Sequence, residues 1–139
     1  MAGYSGTPLP RKLGIKEGAR VALIGAPKGF EGTLRPLPDG VQLASRVRRR
    51  LDVIVFFTRK RAELARRFDS LSRALDPAGG LWIAWPKGSS PIETDLTETV
   101  VRDVVLDDRL VDNKVCAIDQ DWSGLRFVVR TEKRAGWPQ

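Results

Sequence analysis

The chain has 139 residues, a length typical of one domain that can build its own core. It carries 24 Lys and Arg against 17 Asp and Glu, with no histidine and a single cysteine, Cys116. The lack of histidine excludes most zinc geometries and any serine–histidine nucleophile, and one cysteine excludes an intrachain disulfide. No segment approaches the roughly 20 apolar residues that span a bilayer. We therefore expect a cytoplasmic protein that holds no metal ion and does not contact membranes.

Positive charge is concentrated in the middle of the sequence. Residues 46–73 hold ten bases and three acids, whereas residues 93–121 hold nine acids and three bases. A basic segment attracts phosphate backbones or an acidic protein surface, such as residues 93–121 of a second copy. The candidate residues for such docking are Arg46, Arg48, Arg49, Arg50, Arg66 and Arg67.

The spacing of these arginines limits what they can bind. Arg46–Arg50 precedes a predicted seven-residue strand and Arg59–Arg61 follows it, which separates the two clusters by about 20 Å. That distance predicts weak, non-specific nucleic-acid binding at most. A broad acidic protein surface, self-association or a solvated helix face are the competing interpretations.

The first third of the chain predicts a short helix, a strand and a glycine-rich loop. Residues 7–14 are typical of a helix that Thr7 caps, and Arg20–Ile24 predicts the first strand. Four glycines and three prolines in residues 25–40 exclude a long helix there, and residues 41–43 predict the start of a short strand.

The central third predicts two buried strands joined by a helix. Leu51–Phe57 and Leu81–Trp85 are almost continuously apolar, and a helix from about Arg61 to Leu75 followed by a turn at Asp76–Gly80 connects them. Spacings of four, three and four residues give this helix one apolar face, formed by Leu64, Phe68, Leu71 and Leu75. Such strands are typical of a parallel sheet that is covered on both faces.

The last third predicts a helix and a hairpin. Asp95–Glu98 has a capping-box pattern with Asp95 as the cap, which predicts a helix to about Asp107. Lys114–Ile118 and Leu125–Val129 predict an antiparallel hairpin around a polar turn. We expect residues 1–130 to form a single domain and residues 131–139 to form a flexible tail.

These elements predict an α/β protein: a single Rossmann-like sandwich with a mostly parallel sheet and a C-terminal antiparallel hairpin. Their order resembles a shortened class I methyltransferase. The resemblance implies that Leu125–Val129 is inserted beside Leu81–Trp85 in the sheet. It also implies that the glycine loop of that family falls on residues 25–29.

The first half of the chain departs from the methyltransferase pattern. Pro27 replaces the middle glycine of the loop, which removes a backbone donor and the close approach that glycine allows. Leu23 stands where an acidic residue is expected, and Ser45 and Arg46 stand in place of a ribose-binding carboxylate. We therefore expect no tight binding of S-adenosylmethionine and predict no cofactor.

Six motifs along the chain carry a second resemblance: Gly3–Pro8, Lys12–Ile15, Leu81–Lys87, Thr94–Glu98, Val111–Cys116 and Trp122–Phe127. They are similar to a bacterial family catalogued as domain of unknown function 3052. Because that family has no established activity, the resemblance implies a fold and not a function.

Rossmann-like sheets bind ligands at the carboxyl ends of their strands. The loops expected at that edge are residues 25–30, 58–60, 86–90 and 119–123. Their side chains that suit an anionic or nucleotide-like ligand are Lys28, Arg59, Lys87, Ser89, Asp119, Trp122 and Ser123. Solvated loop charges are the competing interpretation.

The sequence favours a non-catalytic, Rossmann-like binding or regulatory module with an anion-binding edge. Two alternatives remain open. One is a divergent, methyltransferase-like enzyme with altered cofactor use, in which Lys28, Lys87 and Asp119 lie near the chemistry. The other is a basic accessory protein that binds nucleic acid through its arginines.

Overall fold

One six-stranded sheet organises the residues that the computed structural model describes, 6–48 and 50–138. Arg49 and the first residues of the Gly3–Pro8 motif lie outside them. The strands are β1 (Arg20–Ile24), β2 (Gln42–Ala44), β3 (Leu51–Phe57), β4 (Leu75–Pro86), β5 (Leu110–Ala117) and β6 (Trp122–Val129). The helices are α1 (Leu9–Lys12), α2 (Phe30–Leu34), α3 (Arg61–Arg73) and α4 (Glu98–Val104), with a 3₁₀ turn at Thr131–Lys133. No helix of this described part is long and apolar enough to cross a membrane.

The strand order is β2-β1-β3-β4-β6-β5. The first four strands in this order run parallel, whereas β6 is antiparallel to both β4 and β5. Residues from Leu81 to Pro86 pair with residues from Phe127 back to Trp122, so β6 is inserted beside β4 as predicted. The predicted fold class, a mostly parallel α/β sheet with a C-terminal antiparallel hairpin, is confirmed.

The central strands are apolar on both sides because the sheet carries helices on both faces. Ile54 and Phe56 pack with Leu64 and Phe68 of α3, whereas Val53 and its neighbours on the other face pack with the α1 and α2 side of the molecule. Successive side chains of a strand point to opposite faces, so covering both faces makes the apolar run continuous.

The segment predicted as a turn, Asp76–Gly80, belongs to β4. Its pairing with β3 jumps from Leu51↔Leu75 to Val53↔Gly80, so three extra residues bulge out of the strand. Asp76 Oδ1 accepts a hydrogen bond from the Ala78 N–H at 2.9 Å, which stabilises the bulge locally. The prediction of a helix to Leu75 was also too long, because the chain is already in β4 at that residue.

Two predicted helix caps are wrong. Pro8, not Thr7, occupies the N-cap position of α1. Thr97 caps α4, its Oγ1 accepting from the Val100 N–H at 3.2 Å. Asp95 instead accepts the Arg61 N–H at 2.7 Å and so caps α3, because the fold brings the start of α3 beside this loop.

Part of the segment predicted as a flexible tail lies in the core. Trp137 is 5% exposed, and its indole Nε1–H donates to the Leu75 carbonyl at 3.1 Å. The Arg109 guanidinium lies over the Trp137 ring, 4.9 Å from its centroid. These contacts join the chain's last described residues to the α3 face of the sheet.

Candidate functional site

The four loops predicted to form a ligand edge meet at the carboxyl ends of the parallel strands. β6 begins opposite the end of β4, where Pro86 pairs with Trp122. The Lys87 N–H donates to the Asp121 carbonyl at 2.8 Å, and the Thr58 N–H donates to the Ala84 carbonyl at 3.0 Å. The topology of the sheet therefore places these loops side by side.

Aromatic rings and one glycine fasten the loop of residues 25–30 to this edge. Phe57 packs edge-to-face against Phe30 and Trp122, with centroid distances of 4.8 and 5.1 Å. Gly25 has φ +70°, and a Cβ there would lie 2.8 Å from the Phe57 carbonyl oxygen. Trp122 is only 7% exposed, so its ring packs between the loops and does not form an open wall for a ligand.

The polar groups at the end of β3 are engaged within the protein. The buried Thr58 hydroxyl donates to the Glu63 carboxylate and accepts from the Lys60 N–H. The Arg59 carbonyl accepts from the Thr94 hydroxyl at 2.8 Å, which ties the loop after β4 to the end of β3. The Arg59 side chain itself is exposed.

Asp119 shapes the hairpin turn. Its Oδ1 accepts hydrogen bonds from the Asp121 and Trp122 N–H groups, at 2.8 and 2.9 Å. This arrangement satisfies backbone donors that the turn would otherwise leave unpaired. One of its carboxylate oxygens is thereby occupied.

A cleft of about 910 Å³ lies at the carboxyl edge, and we call it the lysine cleft. It lies between Lys60, the end of β4 with the loop that follows, and Ser123. The buried Trp85 and Leu96 contribute apolar surface to it. The ammonium groups of Lys60 and Lys87 make no hydrogen bond or ion pair with any described residue.

The acids around the lysine cleft are largely engaged elsewhere. Asp95 accepts the Arg61 N–H, and Glu98 forms an ion pair with Arg102. Glu93 is the third carboxylate that lines the cleft, and it is exposed. Neither lysine forms an ion pair with the three carboxylates that line the cleft.

A second cleft, of about 450 Å³, lies where the resemblance to methyltransferases would place a cofactor; we call it the glycine-loop cleft. Leu23, Pro27 and Ser45 line it, and its charged side chain is Glu31, from the first turn of α2. Pro27 offers no backbone donor, and no carboxylate follows β2. These residues do not fit S-adenosylmethionine bound in the usual manner of the family.

The predicted ligand residues do not all line one cleft. Lys87 and Ser123 line the lysine cleft, whereas Lys28, Arg59 and Ser89 are exposed at the same edge and line neither cleft. Lys60 and Glu31 were not among the predicted ligand residues. Lys60 could have been predicted, because it follows the end of β3 by three residues and so lies at the ligand edge. Glu31 could not, because its position depends on how α2 packs.

The arginines predicted to dock a partner also lie in different parts of the structure. Arg46 and Arg48, together with Arg20, line a cleft of about 600 Å³ along β2, which we call the arginine cleft. Arg50 lies 4.0 Å from Asp76, and Arg67 lies over the Phe56 ring at 5.3 Å. Arg66 is exposed on α3, and Arg49 is outside the described residues. Of the described candidates, Arg46 and Arg48 are the two that line the arginine cleft.

Within residues 6–48 and 50–138, no three or more metal-ligating side chains of His, Cys, Asp or Glu come together. The one thiol, Cys116, is half-buried in β5, and burial raises its pKa. A raised pKa lowers the thiolate fraction at neutral pH, which does not favour Cys116 as a nucleophile.

No family model matches the chain, and no curated protein matches it in sequence.

Solved structures share its fold. A SAM-dependent methyltransferase from Aquifex aeolicus has a TM-score of 0.52 at 14% identity, over 87% of this chain and 88% of that one. The release-factor-specific protein-(glutamine-N5) methyltransferase of Alicyclobacillus acidocaldarius has a TM-score of 0.52 at 15% identity, over 86% of each chain. The PH0226 protein of Pyrococcus horikoshii has a TM-score of 0.56 at 10% identity, over 88% and 86%. The chain therefore has a class I methyltransferase-like fold.

Proposed function

We propose that this protein is a binding module with a methyltransferase-like fold, which holds a small anionic ligand in the lysine cleft and transfers no methyl group. One observation carries the proposal. Lys60 and Lys87, whose ammonium groups have no partner among the described residues, line a cleft on the edge where open α/β sheets bind ligands.

The chemistry of the lysine cleft suits a ligand with an anionic head and an apolar body. Lys60 and Lys87 supply positive charge, and the Ser123 hydroxyl adds a donor. Trp85 and Leu96 supply apolar surface. A volume of about 910 Å³ lies in the range of small-molecule sites, roughly 300 to 1,000 Å³.

Two carboxylates at this edge are held by hydrogen bonds within the protein. Asp119 is bonded to two backbone N–H groups, and the Glu63 carboxylate to the Thr58 hydroxyl. General acid–base catalysis needs a group that is free to reach the substrate. The glycine-loop cleft lacks the donor at Pro27 and a carboxylate after β2, which argues against the usual methyl donor.

Calorimetric titration with adenosine monophosphate and with citrate tests the proposal. We expect binding to the unaltered protein and at least a tenfold loss of affinity when Lys60→Gln and Lys87→Gln are combined. The matched control is Lys28→Gln with Arg59→Gln, which removes two charges from the same edge outside the cleft. Equal losses in both double variants would mean that only general charge attraction is measured.

Calorimetric titration also tests the competing function, a divergent methyltransferase. Micromolar or tighter binding of S-adenosylmethionine would overturn the proposal and favour a divergent methyltransferase. In that case Glu31→Gln should weaken binding, because Glu31 is the carboxylate that lines the glycine-loop cleft.

A second candidate function rests on the arginine cleft. Three guanidinium groups, from Arg20, Arg46 and Arg48, line one groove along the edge strand β2. Guanidinium groups in a groove attract the phosphates of nucleic acids. Their number supports weak, salt-sensitive binding without sequence preference.

We also propose that the chain belongs to the family of domain of unknown function 3052. The support is the set of sequence motifs given above, of which all but the first lie wholly within the described residues. The solved structure of a member of that family tests this: the strand order and the bulge in β4 should both recur.

A further inference from the structure

The edge of the sheet opposite the lysine cleft contains an arginine that has no partner among residues 6–48 and 50–138. Arg126 lies on β6, directly across from Trp82 of β4. Its Nε atom is shut off from solvent and has no hydrogen-bond partner in the described part of the chain. No other atom of its guanidinium forms a hydrogen bond or an ion pair with the described residues.

A glycine makes room for this guanidinium. A Cβ added to Gly80 would lie 2.4 Å from Arg126 Nε and 2.8 Å from Nη2. Any larger residue at position 80 would therefore displace the guanidinium from the sheet. The bulged start of β4 thus creates a place where an arginine lies flat against the backbone.

Arg126 lines a pocket of about 360 Å³ at the amino ends of β1, β3 and β4, which we call the Arg126 pocket. Gly14, Gly18 and Gly79 form parts of its wall and project no side chain into it. The exposed Lys16 adds a second positive charge at the rim.

Neither of the acids that line the pocket forms an ion pair with Arg126. Asp52 lines the same pocket, but its Oδ2 accepts the Arg20 N–H at 2.8 Å. Glu17, on the rim, is exposed. Burial lowers the pKa of Arg126, and the neighbouring positive charge of Arg134 lowers it further. The Arg126 side chain is half-buried, and a charge that is partly withdrawn from water without a partner is costly; proteins normally pair such a charge or place it at a ligand site.

We propose that the Arg126 pocket is a second binding site, in which the guanidinium of Arg126 holds an oxyanion, the phosphate or carboxylate group of a small ligand. A planar guanidinium matches such groups in geometry and charge, and forms stronger hydrogen bonds with them than neutral donors do. The site is independent of the lysine cleft, which lies at the other edge of the sheet.

The NMR signal of the Arg126 Nε–H group tests this site directly. Because Nε is sheltered from water, its proton should exchange slowly enough to be observed, and Arg126→Lys identifies the signal by removing it. Titration with inorganic phosphate should shift this signal along a saturable curve. Acetate in a parallel titration distinguishes the source: a shift with both anions indicates a general oxyanion site, and a shift with phosphate alone indicates a phosphate site.

Two sets of variants separate this site from the lysine cleft. Lys60→Gln with Lys87→Gln should leave the Arg126 signal and its titration unchanged, even if the lysine cleft proves to bind nothing. Gly80→Ala should abolish the titration by displacing the guanidinium. If that variant does not fold, Arg126→Met provides the same test, since phosphate should raise the melting temperature of the unaltered chain but raise that of Arg126→Met less. An Arg126 signal that does not respond to either anion at tens of millimolar would overturn the proposal.

Discussion

The polar side chains at the two edges of the sheet differ in their hydrogen bonding. At the carboxyl edge, Thr58, Asp95 and Asp119 each accept backbone N–H groups and hold loops in place. At the amino edge, Arg126 lies against the backbone with a buried Nε that no group accepts. At the carboxyl edge the unpaired charges are the ammonium groups of Lys60 and Lys87, beside loops that hydrogen bonds hold in place, whereas at the opposite edge a guanidinium nitrogen is buried with no acceptor among the described residues.

The difference does not arise from a shortage of acids at the amino edge. Arg109, which lies just before β5 at the same edge, is bonded to Asp107 at 2.8 Å and to Asp69 at 3.3 Å. Arg126 lies across from Trp82 of β4 and Lys114 of β5, and the nearby Asp52 already accepts the Arg20 N–H. Arg109 is thus paired with acids, whereas Arg126 at the same edge is not. This makes the Arg126 pocket the less conventional of the two proposed sites, the other being the lysine cleft at the carboxyl edge.

The largest effect should come from placing an alanine at one glycine of each edge. Gly25→Ala should cost about 2–4 kcal/mol, because φ +70° disfavours alanine and its Cβ would meet the Phe57 carbonyl. Gly80→Ala should cost clearly less, because its Cβ would meet the Arg126 guanidinium, which can move into solvent. Urea unfolding measures the free energy of unfolding of both variants. Equal losses would mean that the backbone at Gly25 and the Arg126 side chain at Gly80 resist an added Cβ to the same extent, which would contradict the difference between the two edges.

Removing the carboxylate that joins α3 to the loop after β4 should have the next largest effect. Asp95→Ala should cost about 1 kcal/mol, since the Arg61 N–H loses its acceptor and the start of α3 loses a stabilising negative charge. Asp108→Ala serves as the control, because Asp108 is exposed and makes no bond with the described residues. If the two variants unfold at the same urea concentration, Asp95 does not hold this edge together.

The ion pair at the amino edge should make stability depend on pH. The side-chain hydrogen bond from Arg109 holds the pKa of Asp107 below its ordinary value of 3.8. The pair therefore stabilises the fold fully above pH 3.8, and this contribution is lost as the pH falls through the lowered pKa. Asp107→Asn should cost about 1 kcal/mol at neutral pH and progressively less in acid, as urea unfolding across pH would show. A cost that does not change with pH would mean that packing, not charge, is lost.

The smallest effect concerns the arginine cleft, which runs along β2 between the two edges. Weak DNA binding is expected, with a log–log salt slope of about −3 if three arginines each contact a phosphate. Arg46→Glu with Arg48→Glu should abolish it in fluorescence anisotropy, whereas Arg66→Glu on the exposed face of α3 should have little effect. Binding that survives the double variant would remove the cleft from consideration.

Much of the sheet could be predicted from the sequence because the signals were local. Leu51–Phe57 forms β3 with the predicted bounds, since an almost continuous apolar run suits a strand buried on both faces. The same reasoning gave Arg20–Ile24 as β1 and placed four loops at one edge. Lys87 and Ser123 could be predicted as lining residues for that reason: each is next to the edge-facing end of a strand.

The remaining features required the tertiary structure, because each joins residues that are far apart in the chain. Asp95 matches a capping pattern for its own helix, yet it caps α3, 34 residues earlier, because that N–H group lies within reach. Trp137 belongs to a polar terminal segment and still enters the core through the Leu75 carbonyl, 62 residues away. The isolation of Arg126 depends on a bulge in β4, a glycine on a neighbouring strand and an aspartate already bonded elsewhere. The alternation of apolar and polar residues determines which strands form, but which polar groups find partners is decided only when those strands are packed together.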